Sequence, residues 1–100
     1  MNNTENLMVT LSEECSEVIK EVNKTLRFGT GVPCFATNSN ESNSYRIVKE
    51  ALHIQAMIEM LQEEGVLPRL DSQTKNDIKE DKKRRVRKWQ EYSREIGLLK

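Results

Sequence analysis

Two stretches of the chain carry acidic and imidazole side chains at helical spacing. Glu14, Glu17 and Glu21 fall within about 60° of one another on a helical wheel of about 100° per residue. Glu50 and His53 occupy the matching flank of a second amphipathic segment. If the two apolar faces pack together, Glu14 and Glu17 converge with this second pair at the edge of one seam. Because gathered carboxylates repel one another, they favour a divalent cation such as Mg²⁺ or Mn²⁺, with positions left for water and phosphate oxygens.

Each of these pairs also has an ordinary structural explanation. Glu-x-x-Glu on a helix commonly forms a solvated rim or pairs with Lys and Arg. His53 is either a metal ligand or a flank residue that is hydrogen-bonded to Glu17 or Glu50. Convergence of two pairs strengthens the functional interpretation, but spacing alone leaves both explanations open.

Three segments separated by Gly and Pro must position these side chains, and each has helical periodicity. The first segment spans about 4–27, begins at Thr4 or Asn3 as its N-cap and is followed by Gly29. Its predicted apolar stripe, with Cys15 as a small core residue, consists of Leu7, Leu11, Cys15, Val18, Val22 and Leu26. The polar stretch 28–43 is predicted to be a loop.

The second and third segments complete an all-α prediction. The second spans about 44–64, is closed by Gly65 and has an apolar stripe of Ile47, Ala51, Ile54, Ile58 and Leu61. The third spans about 72–96, and its packing face consists of Ile78, Val86, Trp89, Tyr92 and Ile96. Because no segment alternates with period two, the sequence predicts a single helical domain over 1–100.

Composition narrows the class of protein. Lys and Arg number 16 and balance 16 Asp and Glu, which argues against a globally basic nucleic-acid coat. No apolar run reaches the roughly 18 residues of a membrane span, and the start of the chain lacks the features of a secretory signal. Two cysteines are too few for a disulfide scaffold. We therefore expect a reduced, cytoplasmic domain whose thin core is completed by homo-oligomerisation.

Several motifs, taken in order, resemble a known family. They are LSEECSEV over 11–18, NKTLRFG over 23–29, YRIVKE over 45–50, MIEML over 57–61 and KWQEYSREIG over 88–97. This combination is similar to the MazG-like all-α nucleoside triphosphate pyrophosphohydrolases, in particular to their short phage-type members. The resemblance covers nearly the whole chain, and its specificity comes from the order of the motifs.

The resemblance implies a fold and an activity. The family's protomers have two long antiparallel helices plus a C-terminal helix, and they form dimers or tetramers around a four-helix-bundle core. Such enzymes use Mg²⁺ to cleave nucleoside triphosphates to a monophosphate and pyrophosphate, with a carboxylate-held water attacking the α-phosphorus. By motif, Glu14 and Glu17 are catalytic metal ligands together with Glu50. The polyphosphate would be held by Lys24 and Arg27 with Arg46, and Phe28 would stack on a base or simply pack in the loop.

His53 stands where the family has a metal-binding aspartate. An imidazole weakens a Mg²⁺ site, although it ligates softer metals such as Mn²⁺, and Glu-x-x-His on a helix is a ligand pair in di-metal bundles. The protein is therefore expected to be a metal-dependent pyrophosphohydrolase. The alternative is a catalytically impaired nucleotide-binding protein that sequesters nucleotides or nucleotide immune signals.

A basic run over 82–88 suggests a third function, the binding of nucleic acid. Six of its seven residues are cations, which suits a nucleic-acid contact, but no aromatic side chains are interleaved to stack on single strands. We expect instead a solvated helix face that pairs with Glu80, Asp81 and Glu91 and with the acidic first half of the chain. Nucleic acid is accordingly not the expected partner. Cys34 lies in a loop without a second histidine, so it is not predicted to be a nucleophile.

Overall fold

The computed structural model describes residues 1–31 and 41–100, and its three regular elements are α-helices. They are α1 (Asn3–Phe28), α2 (Asn43–Glu63) and α3 (Ser72–Glu95). The all-α prediction is confirmed, and each predicted helix bound lies within one residue of the observed bound. Cys34, Phe35 and most of the predicted loop lie outside the described residues. The chain divides into two compact units, residues 1–68 and 69–100, and each is described by itself.

The start of α1 differs slightly from the prediction because the capping residue is Asn2. Its side chain accepts a hydrogen bond from the Glu5 backbone N–H at 2.8 Å, and the Glu5 carboxylate accepts one from the Asn2 backbone N–H at 3.1 Å. This reciprocal capping box satisfies two amide groups, which neither Asn3 nor Thr4 achieves as the cap. At the other end, Gly29 takes a φ of 94°, a value that other residues rarely adopt.

Helices α1 and α2 form an antiparallel hairpin. Contacts between them pair early residues of one helix with late residues of the other, namely Asn3 with Glu64, Glu14 with His53, Glu21 with Arg46, and Gly29 with Asn43. The last of these is a 2.9 Å hydrogen bond from the Asn43 side chain to the Gly29 carbonyl, which ties the end of α1 to the start of α2. The register of the hairpin therefore depends on polar contacts along its whole length.

The core of the hairpin is thin, as expected from the composition. Among the described residues, Leu7 and Leu61 are the buried hydrophobic side chains, and Leu61 is fully buried. The other two buried residues are polar, Glu21 and Asn43. Because so few apolar groups are buried, the hydrophobic effect contributes little to the stability of this hairpin.

The predicted apolar stripe of α1 is partly wrong. Leu7, Leu11 and Val18 are buried or half-buried, but Cys15 is exposed, as are Val22 and Leu26. The reason is that α1 turns its Glu14 and Glu21 flank toward α2, where both carboxylates find cationic or imidazole partners. A second stripe of Cys15, Ile19, Val22 and Leu26 is consequently left on the surface.

The unit formed by residues 69–100 consists of α3 and its ends. Asp71 caps the helix by accepting a 2.7 Å hydrogen bond from the Thr74 backbone N–H, and this bond lowers the pKa of Asp71 below its ordinary value of 3.8. No residue of α3 is buried, and Trp89 lies edge-on to Tyr92 at 5.8 Å between ring centroids. The predicted packing face of α3 is therefore solvent-exposed. None of the described helices is long and apolar enough to cross a membrane.

Candidate functional site

The imidazole of His53 lies between two carboxylates from different helices. Its Nδ1 atom is 3.1 Å from Glu50 Oε2, one turn earlier on α2, and 3.3 Å from Glu14 Oε2 on α1. The three side chains are part-exposed, at 25% for Glu14, 12% for Glu50 and 46% for His53. The group is therefore accessible from solvent at one edge of the hairpin.

These three side chains have the geometry and the chemistry of a metal-binding group. One ligand atom from each lies within 4.8 Å of the other two, so an ion between them would contact all three. Two carboxylate oxygens and one imidazole nitrogen suit Mn²⁺ and other first-row divalent ions, while Mg²⁺ prefers oxygen ligands alone. Three protein ligands leave further positions for water or phosphate oxygens. The donor set therefore fits a divalent cation, and it fits Mn²⁺ better than Mg²⁺.

Glu17, the fourth predicted metal ligand, does not join this group. Its carboxylate lies 4.0 Å from Lys20 Nζ, one turn further along α1, and its side chain is 44% exposed. The structure therefore places three of the four candidate ligands close together and leaves Glu17 on the adjacent surface of α1.

Glu21 is a buried charged residue at which two predicted phosphate ligands meet. Its carboxylate is fully inaccessible, and it lies 3.5 Å from Lys24 Nζ and 3.3 Å from Arg46 Nε. Lys24 and Arg46 are themselves only 13% and 18% exposed. Glu21 follows Glu14 by seven residues, so the helical wheel correctly placed both on the same face of α1. That spacing does not indicate which residue of the face is buried, and the burial of Glu21 was not predicted.

Arg27 and Phe28, the remaining predicted nucleotide ligands, lie at the end of α1. The Arg27 guanidinium sits over the Phe28 ring at 5.9 Å from its centroid, and the ring is about half exposed. Arg27 and Lys24 also line an open groove of about 410 Å³ on α1, together with Ser16, Ile19, Lys20 and Asn23. A basic, partly apolar groove of this kind can accept an anionic ligand, but Arg27 is separate from the Glu14–Glu50–His53 group.

Three of the six cations in the basic run of α3 form ion pairs within their own helix. Lys83 lies 3.2 Å from Glu80, and Arg84 and Arg85 both contact Asp81, at 3.3 and 3.1 Å. The predicted pairing of this run with Glu80 and Asp81 is therefore confirmed. The predicted pairing with Glu91 is not seen among the described residues, because Glu91 lies 3.6 Å from Arg94, which is outside the run. These are exposed helix-surface ion pairs, which contribute little to stability.

Comparisons with known proteins return nothing for this chain. No family model, no curated protein and no solved structure matches it. Any functional conclusion consequently depends on the motifs and on the geometry of the hairpin edge.

Proposed function

We propose that this protein is a metal-dependent, MazG-like nucleotide pyrophosphohydrolase that cleaves nucleoside triphosphates to a monophosphate and pyrophosphate. The observation that carries the proposal is the meeting of Glu14, Glu50 and His53 across two antiparallel helices. Glu14 is far in sequence from Glu50 and His53 and lies on the other helix, and the motifs that resemble the family predict that the three side chains meet. If these charges only formed a solvated rim, the three side chains would have no reason to meet.

In this proposal Glu14 and Glu50 hold the metal from opposite helices, and His53 completes the set through nitrogen. When bound, a divalent ion in such a site neutralises phosphate charge and acidifies a bound water. Glu17, on the adjacent surface of α1, is available to accept a proton from an attacking water. Lys24 and Arg46, with Arg27 at the end of α1, supply positive charge for the polyphosphate.

The proposal includes a homo-oligomer, either a dimer or a tetramer. The exposed stripe of α1 supports this, since Ile19 is 63% and Leu26 is 81% exposed on a hairpin with a very small core. Pairing this stripe with the same stripe of a second copy would bury it in a four-helix bundle. The thin core and the exposed stripe are thereby explained by one arrangement.

The first experiment is incubation with a panel of nucleoside triphosphates in Mg²⁺ and then in Mn²⁺, with products resolved by ion-pair chromatography. We expect a monophosphate and pyrophosphate, with faster turnover in Mn²⁺ because of the imidazole ligand. Glu14→Gln should abolish turnover and keep wild-type helicity, while Glu59→Gln, an exposed acid on α2, should change neither. Turnover that survives Glu14→Gln would refute the assignment of the site.

A nucleotide-binding protein without turnover is the second candidate, and the position of His53 favours it. A nitrogen ligand at this point weakens Mg²⁺, so catalysis by the usual cellular metal is compromised while the cationic residues remain. In that case the panel would return intact nucleotide, depleted from solution and released by heat denaturation. His53→Asp separates the two candidates, because it should raise Mg²⁺-dependent hydrolysis only if the rest of the catalytic machinery is present.

A further inference from the structure

The unit formed by residues 69–100 is strongly basic. It carries 11 Lys and Arg residues and 6 Asp and Glu residues, a net charge of +5. Six of these cations lie in the run 82–88, and three of the six, Lys82, Arg87 and Lys88, contact no carboxylate among the described residues. The ion pairs of the other three are exposed, and exposed pairs are weak enough for a phosphate group to replace them. The proposed pyrophosphohydrolase uses none of these cations.

An open groove of about 470 Å³ along α3 combines two cations of this run with apolar side chains. Its lining includes Lys82, Arg85, Val86, Trp89, Leu98 and Leu99. The Ser93 carbonyl accepts backbone hydrogen bonds from Leu98 at 2.9 Å and from Leu99 at 3.1 Å, which hold these two leucines beside the last turn of α3. The groove therefore lies within the unit 69–100, and it offers both positive charge and apolar surface to a ligand.

Trp89 provides an accessible aromatic ring in this groove. Periodicity places Trp89 on a packing face of α3, where it could not stack on a base, but the structure leaves that face exposed and Trp89 59% accessible. Arg85 precedes Trp89 by one turn and Lys82 by two, about 6 and 10.5 Å along the helix axis. Cations that lead to an exposed aromatic ring are the combination with which proteins hold single strands, with phosphates on the cations and a base on the ring.

We propose that this groove binds single-stranded nucleic acid, with Lys82 and Arg85 on backbone phosphates and Trp89 stacked on a base. Charge complementarity supports this occupant, since every phosphate is negative and the unit has a net charge of +5. A second copy of α3 fits less well, because two basic helices repel each other. A duplex also fits less well, because its bases are already stacked on one another. The site lies outside residues 1–68 and is independent of the proposed pyrophosphohydrolase.

The test uses the whole protein, a chelator and a deoxythymidine oligomer about 12 nucleotides long. Affinity is measured by fluorescence anisotropy of a labelled oligomer. Because Trp89 is the only tryptophan, quenching of its emission by the unlabelled oligomer reports stacking directly. Arg85→Gln should weaken binding about tenfold and reduce the slope of log affinity against log salt by about 0.7, the effect of one lost phosphate contact. Arg87→Gln removes the same charge from a position that does not line the groove, and should weaken binding less than about twofold.

Trp89→Ala should weaken binding about tenfold, while Trp89→Phe, which keeps an aromatic ring, should retain most of the affinity at the same helical circular dichroism. A duplex of equal length should bind more weakly and leave the emission of Trp89 unchanged. Wild-type affinity in Trp89→Ala, or equal losses in Arg85→Gln and Arg87→Gln, overturns the proposal. Quenching by a duplex as strong as by the single strand overturns the choice of single strands. Quenching by polyglutamate as strong as by the oligomer overturns it in favour of an acidic protein partner. Since neither metal nor turnover enters the assay, an inactive enzyme leaves these results unaffected.

Discussion

Binding of Mn²⁺ should stabilise the hairpin through His53, because the three ligand atoms join α1 to α2. The oxygens of Glu14 and Glu50 are no more than 4.8 Å apart, a separation at which two negative charges repel by about 3.5 kcal/mol at an effective dielectric constant of about 20. Replacing that repulsion by attraction to a divalent ion favours the folded hairpin. In the unfolded chain the three side chains are not held together, so the ion would stabilise only the folded state.

The magnitude follows from linkage. At a Mn²⁺ concentration about 100 times the dissociation constant, the ion adds about 2.7 kcal/mol to the free energy of unfolding. For a unit of this size that corresponds to a rise in Tm of about 10 to 20 °C. His53→Ala removes one of the three proposed ligands, and a 100-fold weaker site at the same Mn²⁺ concentration would retain about 0.4 kcal/mol, or roughly 2 to 3 °C.

The assay is thermal unfolding followed by far-ultraviolet circular dichroism, with Mn²⁺ titrated into the wild type and into each variant. Glu14→Gln should lose the Mn²⁺ effect as His53→Ala does, and Glu59→Gln should keep it. His53→Asp should regain stabilisation and respond to Mg²⁺ as strongly as to Mn²⁺. The reasoning is refuted if His53→Ala gains as much Tm from Mn²⁺ as the wild type, since the ion would then bind elsewhere.

Three further predictions concern the fold. Leu61→Ala should lower the free energy of unfolding by about 3 kcal/mol in a denaturant titration, since Leu61 is fully buried, whereas Leu98→Ala, at an 80% exposed position, should change it by less than about 0.5 kcal/mol. Ile19→Lys should reduce the sedimentation mass to that of a monomer at unchanged helicity; a persisting oligomer would contradict pairing through the exposed stripe of α1. Because the pKa of Asp71 is lowered on folding, its cap is fully effective above pH 3.8 and is lost as pH falls below that value. Fluorescence of Trp89, the only tryptophan, should report this loss in the wild type, and an equal acid transition in Asp71→Asn would contradict the capping role.

Much of the secondary structure was predictable because it depends on neighbouring residues. Periodicity of three and four and the glycines after α1 and α2 define helix lengths locally, and every predicted bound agrees within one residue. The approach of Glu50 and His53 is also local, since one turn of α2 separates them. The position of Glu14 close to Glu50 and His53 was also predictable, because the flanks of two packed amphipathic helices meet at a common edge.

The orientation of α1 about its own axis required the tertiary structure. Periodicity places Cys15, Val22 and Leu26 on the apolar stripe, and only packing against α2 reveals that Glu21 takes the buried position while they remain exposed. The reason is that the hydrophobic periodicity of one helix does not depend on the charges of the helix it packs against. Here Arg46 and His53 of α2 attract the acidic flank of α1 toward the interface. Hydrophobic spacing predicts which elements form. Pairing of charges across the hairpin decides which face of α1 is buried.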